Sequence, residues 1–96
     1  VDCTAIFAIS DSLAIGAVRA LIDAGKRVPM DISVAGFDGT EMAAYYNPSI
    51  TTIRQPAETM ARETIKLLFD SIKKKTNVQL IFEGELVPGE SVKKLN

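Results

Sequence analysis

Residues 4–12, Thr4-Ala5-Ile6-Phe7-Ala8-Ile9-Ser10-Asp11-Ser12, decide the architecture. The stretch 4–9 is a continuous apolar run that stops at a polar triplet. Strands buried on both faces read this way, whereas half-exposed strands alternate. Either Ser10 or Asp11 can accept a bond from a free backbone N–H at a helix start. The helix is predicted over 13–24, where Leu13, Ala17, Leu21 and Ala14, Val18, Ile22 form neighbouring i, i+4 rows and hence a broad apolar face. Gly16 lowers helix propensity by about 1 kcal/mol relative to Ala, which points to something packed close against it. Gly25 fits the left-handed position past the helix, followed by Lys26, Arg27 and Pro29. A second strand is predicted over 32–37, Ile-Ser-Val-Ala-Gly-Phe, ending in the turn signal Asp38-Gly39-Thr40. Strand, helix and strand make a right-handed βαβ unit.

Working outward, a short helix over 40–46 carries Met42, Ala43, Tyr45 and Tyr46 and stops at Asn47-Pro48. The texture then changes. Residues 50–54, Ile-Thr-Thr-Ile-Arg, are β-branched and read as a short strand. Pro56 suits the first turn of a helix running to about Lys74, with an apolar row through Met60, Ala61, Ile65, Leu68, Phe69 and Ile72. The run Lys73-Lys74-Lys75 falls at the negative end of that helix, where cations are favoured. Residues 79–87 read as an edge or half-exposed strand closed by Pro88-Gly89, with a frayed tail to Asn96. No internal repeat or low-complexity segment is visible.

The chain has 96 residues, 47% of them hydrophobic and 24% charged, with net charge −1. That suits at most one small domain with a modest core. It gives no strong pull towards nucleic acid or anionic membrane. Residues 1–50 carry 3 basic and 6 acidic side chains, residues 51–96 carry 8 and 6, and the basic excess reads as solvated surface. With no His, Ser-His-Asp and Cys-His chemistry is excluded within the chain, as are zinc sites needing imidazole. The lone Cys3 fits a reducing compartment. No apolar run approaches a membrane span, and no signal peptide is visible. The first residue is Val1, not Met, so a piece of a longer chain is expected.

Asp11 and Asp38 both stand just past the carboxyl end of a predicted strand. Ligands of open α/β sheets bind in the crevice outside those ends. Two such carboxylates can accept hydrogen bonds from sugar hydroxyls or a base N–H. The plainer roles are a helix cap for Asp11 and a turn residue for Asp38. Tyr45 and Tyr46, beside Ile15 and Val18, suit either the core or an intersubunit patch. Phosphate-loop spacing is absent, and Glu83 with Glu85 reads as solvated rather than as an acid/base pair. Neither a metal nor a cofactor is implied.

Four strings together resemble one family. Ala5-Ile6-Phe7-Ala8-Ile9-Ser10-Asp11-Ser12-Leu13-Ala14-Ile15-Gly16-Ala17 is similar to the strand-to-helix junction of LacI/GalR-family transcriptional regulators. Gly25 to Asp38, with Val28-Pro29-Met30-Asp31-Ile32-Ser33-Val34-Ala35-Gly36-Phe37-Asp38, continues the likeness. Pro48-Ser49-Ile50-Thr51-Thr52-Ile53-Arg54-Gln55-Pro56 and Glu85-Leu86-Val87-Pro88-Gly89-Glu90-Ser91 complete it in family order.

The resemblance implies an α/β, periplasmic-binding-protein-like type I fold: parallel sheets flanked by helices in two lobes, of which this chain matches the C-terminal third. Residues 1–49 then belong to the C-terminal lobe, 50–76 supply a strand and helix to the N-terminal lobe, and 77–96 return as crossover and tail. The family's helix-turn-helix is not in these residues. By resemblance, Asp38 matches the effector-contacting Asp, and Ser10 replaces an effector-contacting Asn. Asp11 matches a helix-capping Asp, and Gln55 a position near the cleft. Gly39 replaces the Asp or Asn common after the contacting Asp, which is expected to loosen the turn. Ile15, Val18 and Tyr46 match positions packing across the family's dimer interface.

The function so implied is ligand sensing in a cytoplasmic, non-enzymatic regulator: a small, sugar-like effector between two lobes modulates DNA binding by a separate domain. The partners implied are the effector, a second copy or higher homo-oligomer, and operator DNA through that separate domain, with no membrane. A transporter's sugar-binding protein of the same fold is the alternative, and an α/β enzyme using Asp11 and Asp38 the more distant one.

Overall fold

A computed structural model describes residues 2–74 and 79–95. The elements run β1 (Ala5–Phe7), α1 (Asp11–Asp23), β2 (Ser33–Ala35), α2 (Glu41–Tyr45), β3 (Thr52–Arg54), α3 (Ala57–Lys74) and β4 (Glu85–Val87). They fall into two compact units, Val1–Arg54 with Leu86–Asn96, and Gln55–Glu85. Lys75 of the lysine run and the junction expected at 76–77 lie outside the described residues.

In the first unit β1 and β2 are parallel, with Ala5 opposite Ser33, Ile6 opposite Val34 and Phe7 opposite Ala35. α1 is the crossover between them, as a parallel pair requires. The other edge of β2 takes the segment leading into β3: Gly36 N–H donates to Thr51 O at 2.8 Å, and Ala35 and Thr51 form a parallel bridge. β3 pairs with β4. The core comprises Ala14, Val18, Ile32, Val34, Ala43 and Ile50, with Ile6, Ala8, Ile15, Leu21 and Tyr46 packed against it. So the Ala14–Val18 row of α1 is the buried one, and Leu13 and Ile22 of the expected broad face stay exposed.

The ends of α1 follow their local chemistry. Ser10 caps it in extended backbone, its hydroxyl accepting Leu13 N–H at 3.2 Å. At the other end Gly25 has φ +82, Gly25 N–H reaches Ile22 O at 3.0 Å and Lys26 N–H reaches Leu21 O at 2.9 Å. That pair of bonds is the Schellman closure for which Gly is suited.

Four expectations need correction. Of the run 4–9 only three residues form β1, and the run is largely exposed, with Phe7 at 66% and Ile9, beyond the strand, at 77%. β2 covers one edge of β1. Gly16 faces open space, so no close neighbour accounts for it. Of the strand expected over 79–87, only Glu85–Val87 is extended in a ladder. The tail is not frayed: Ser91 is fully buried, its hydroxyl donating to Val34 O and accepting Thr51 N–H at 2.9 Å. Val34 N–H donates to Ser91 O at 2.9 Å and Lys93 N–H to Ser33 Oγ at 3.1 Å, so the tail is laced to β2.

The second unit is built on α3. Its row Ile65, Leu68, Phe69 and Ile72 is exposed. Leu80 lies beside Leu67, Lys66 and Asp70 around a depression of about 110 Å³. No helix among the described residues is long and apolar enough to cross a membrane.

Candidate functional site

The loops after β1 and β2 meet at the carboxyl ends of these parallel strands, where Asp11 N–H donates to Phe37 O at 2.8 Å. Ser10, Asp11 and Asp38 are thereby brought into one corner of the first unit. Gln55 belongs to the second unit, at the foot of α3, where its carbonyl accepts Ala57 N–H at 2.8 Å.

Asp11 is 1% exposed, on the first turn of α1. Its Oδ2 accepts Thr40 N–H at 2.7 Å and the Thr40 hydroxyl at 2.9 Å. Its Oδ1 accepts the Thr52 hydroxyl at 2.6 Å. A buried carboxylate is tolerated when donors satisfy it like this. Asp11 is therefore neither the helix cap, which is Ser10, nor open to a ligand. Its oxygens are turned to Thr40 and Thr52 instead, and at 1% exposure it presents no surface to a ligand.

Asp38 is half-buried and has φ 122, a left-handed backbone that non-glycine residues rarely adopt. Its N–H donates to Ile53 O at 2.9 Å, and Asp38 and Arg54 form a parallel bridge. Gly39 follows at φ +74, its N–H donating to Thr52 Oγ1 at 3.2 Å. A Cβ on Gly39 would lie 2.5 Å from Arg54 Cα. The turn is therefore tight against β3, not loosened as the substitution at Gly39 led us to expect. Strain of this kind in a non-glycine residue collects at functional positions.

A shallow cavity of about 140 Å³ opens nearby, lined by Gly39, Thr40, Ile50, Thr52, Arg54 and Gly89 among others. It is smaller than the roughly 300–1,000 Å³ of drug-sized ligand pockets, and neither Ser10 nor Asp38 lines it. Of the positions expected at an intersubunit face, Ile15 and Tyr46 are half-buried. Val18 is 0% exposed within the core and is removed from that face: a side chain with no surface cannot contact a second copy. Tyr45 and Met42 are exposed.

Thr40 and Thr52 escaped the sequence reading. Each looks ordinary locally, Thr40 as the cap of α2 and Thr52 as a β-branched strand residue. Their common partner lies 29 and 41 positions away, so no local signal marks them.

The comparisons with known proteins agree with this architecture. The HTH-type transcriptional regulator MalR of Clostridium butyricum is 50% identical over 91 residues, covering 94% of this chain and 27% of its own length. A structure of the transcriptional regulator CelR–cellobiose complex superposes with a TM-score of 0.86 at 40% identity, over 94% of this chain and 28% of that one. A LacI family transcriptional regulator from Enterococcus faecalis V583, with bound ribose, gives a TM-score of 0.88 at 34% identity, over 100% of this chain and 37% of that one. The chain thus spans about a quarter to a third of the proteins it resembles. Residues 2–92 match the periplasmic binding protein-like domain, and the chain belongs to that family, as a fragment of the domain found in LacI-type regulators.

Proposed function

We propose that this chain is part of the ligand-sensing domain of a bacterial transcriptional regulator, and that Asp38 contacts a small, sugar-like effector held between two lobes. The observation that carries the reading is Asp38 itself: a carboxylate-bearing residue with φ 122, at the carboxyl end of a parallel strand. Relatives with bound cellobiose and ribose support a sugar. A carboxylate suits paired hydroxyls, since it accepts from both with charge-assisted bonds.

On this reading the chain crosses between lobes twice; the two compact units change over after Arg54 and before Leu86, rather than at 49/50 and 76/77 as the resemblance implies. The effector favours one lobe orientation and so changes the DNA affinity of a separate helix-turn-helix domain. Such a regulator works beside the chromosome, in the cytoplasm, and catalyses nothing. Ile15 and Tyr46, with Tyr45 and Met42, supply a contact with a second copy. The relatives named above are regulators, which favours this role over sugar delivery to a transporter.

The test uses the full-length protein. Cellobiose, ribose and other mono- and disaccharides are titrated by calorimetry, alone and with operator DNA. A sugar that binds and shifts DNA affinity is expected, and Asp38→Ala is expected to weaken it by roughly tenfold or more, as for a lost hydrogen bond to a charged group. Unchanged sugar affinity in that variant overturns the assignment of Asp38.

A further inference from the structure

Asp11, buried, accepts three hydrogen bonds from other segments of the first unit, and the proposed effector contact makes no direct use of it. We propose that Asp11 is the positioning residue of the Asp38 corner: through Thr40 and Thr52, its carboxylate holds the strained Asp38–Gly39 turn and so sets where Asp38 meets the effector. This rests on the reading of Asp38 as an effector contact.

Two consecutive residues sit at positive φ, Asp38 at 122 and Gly39 at 74. The first is not glycine, so the surroundings must hold it there. Three consecutive amides are held, each from a different place. Asp38 N–H goes to Ile53 O at 2.9 Å, Gly39 N–H to Thr52 Oγ1 at 3.2 Å, and Thr40 N–H to Asp11 Oδ2 at 2.7 Å. Two of the three end on Asp11. Thr40 reaches it directly, and Gly39 does so through the Thr52 hydroxyl, which accepts from Gly39 and donates to Asp11 Oδ1 at 2.6 Å. The geometry leaves little slack. A Cβ on Gly36 would lie 2.5 Å from Asp11 Oδ1, so the carboxylate fills the space that this glycine vacates.

An ionised carboxylate suits this corner because it only accepts. The three Asp11 contacts all come from donors. Asp11→Asn keeps the volume but turns one acceptor into a donor, and that donor must face either the Thr40 or the Thr52 group.

The experiment uses the full-length regulator in four forms: wild type, Asp11→Asn, Asp38→Ala and the double variant. Amide hydrogen exchange at residues 39 and 40 is expected to rise by about tenfold or more in Asp11→Asn, while Ala14, whose N–H donates to Ser10 O, changes by less than about twofold. Cellobiose and ribose affinity is expected to fall by roughly tenfold in Asp11→Asn. The same substitution in the Asp38→Ala background is expected to change affinity by less than about twofold, as a double-mutant cycle gives for residues acting through one contact. Thr52→Ser keeps the relay and is expected to behave as wild type, whereas Thr52→Val repeats the Asp11→Asn pattern and serves if that variant fails to fold.

Unaltered exchange at residues 39 and 40 overturns the proposal. An equal loss of affinity in both backgrounds also overturns it, because Asp11 would then be supporting the fold at large. Sugar binding unchanged by Asp38→Ala overturns the effector reading of that residue instead, and the exchange measurement still decides whether Asp11 holds the turn.

Discussion

A methyl group at position 36 has no room. It would stand 2.5 Å from Asp11 Oδ1, 3.2 Å from Ala14 Cβ and 3.3 Å from Asp11 Cα. Gly36→Ala therefore pushes on a buried carboxylate and on the backbone of α1 together. It is expected to destabilise the full-length protein by about 1–3 kcal/mol, the usual range for overpacking, read from the urea midpoint. A shift within error would show that the corner yields easily. A second residue-scale prediction concerns pH. Asp31 accepts both from the Arg27 guanidinium, at 3.0 and 3.2 Å, and from Arg27 N–H at 2.7 Å. These bonds, the side-chain one first, lower its pKa from 3.8 to about 2. A lowered acid pKa stabilises the folded state above the unfolded value, so this contribution is complete above 3.8 and is lost as the pH falls through about 2. Carboxyl titration by NMR is expected to place Asp31 near 2, and Arg27→Gln to return it towards 3.8. The resemblance drew attention to Asp38, whereas Thr40 and Thr52 were invisible because their roles depend on Asp11 being near.

The strands here are short, and side chains outside the ladders tie them together. β1, β2, β3 and β4 each have three residues. Glu90 accepts Ser49 N–H and the Ser49 hydroxyl, both at 3.2 Å, and Gly89 N–H reaches Thr51 Oγ1 at 2.9 Å. Ser91 then links Val34 to Thr51. Two serines give a ranked prediction. Ser10→Ala removes a solvent-accessible cap and is expected to cost about 1 kcal/mol. Ser91→Ala leaves Thr51 N–H and one Val34 carbonyl contact unmet in a fully buried place, and is expected to cost about 1–3 kcal/mol. Thermal unfolding of both variants checks the order, and a larger loss for Ser10→Ala would mean that the tail contributes little. The ends of α1 were legible because their signals are local: Ser10 and Gly25 each act within a few residues. The tail was misread because its partners, Ser33, Val34, Ser49 and Thr51, lie about 40 to 60 positions away.

At the scale of the whole chain, each unit leaves apolar surface uncovered. The first exposes Phe7, Ile9 and Leu13, and the second Ile65, Leu68, Phe69 and Ile72. Patches of this kind drive association. The isolated 96-residue chain is expected to self-associate as its concentration rises in sedimentation velocity, and to bind a hydrophobic dye. A monomer at all concentrations would show that these faces do not associate under those conditions. Periodicity and end signals alone determined the order of strands and helices, the βαβ crossover and the glycine closure of α1, because those depend on neighbours within a turn or two. They also marked the apolar run 4–9 as strand, yet could not tell that β1 would be exposed, since burial depends on which other segments arrive. Only the tertiary structure decided that Val18 is core, that Ser91 is fully buried and that Asp11 joins the ends of two strands to β3. Hydrogen bonds and burial formed across long stretches of chain leave no periodic trace in the residues that make them.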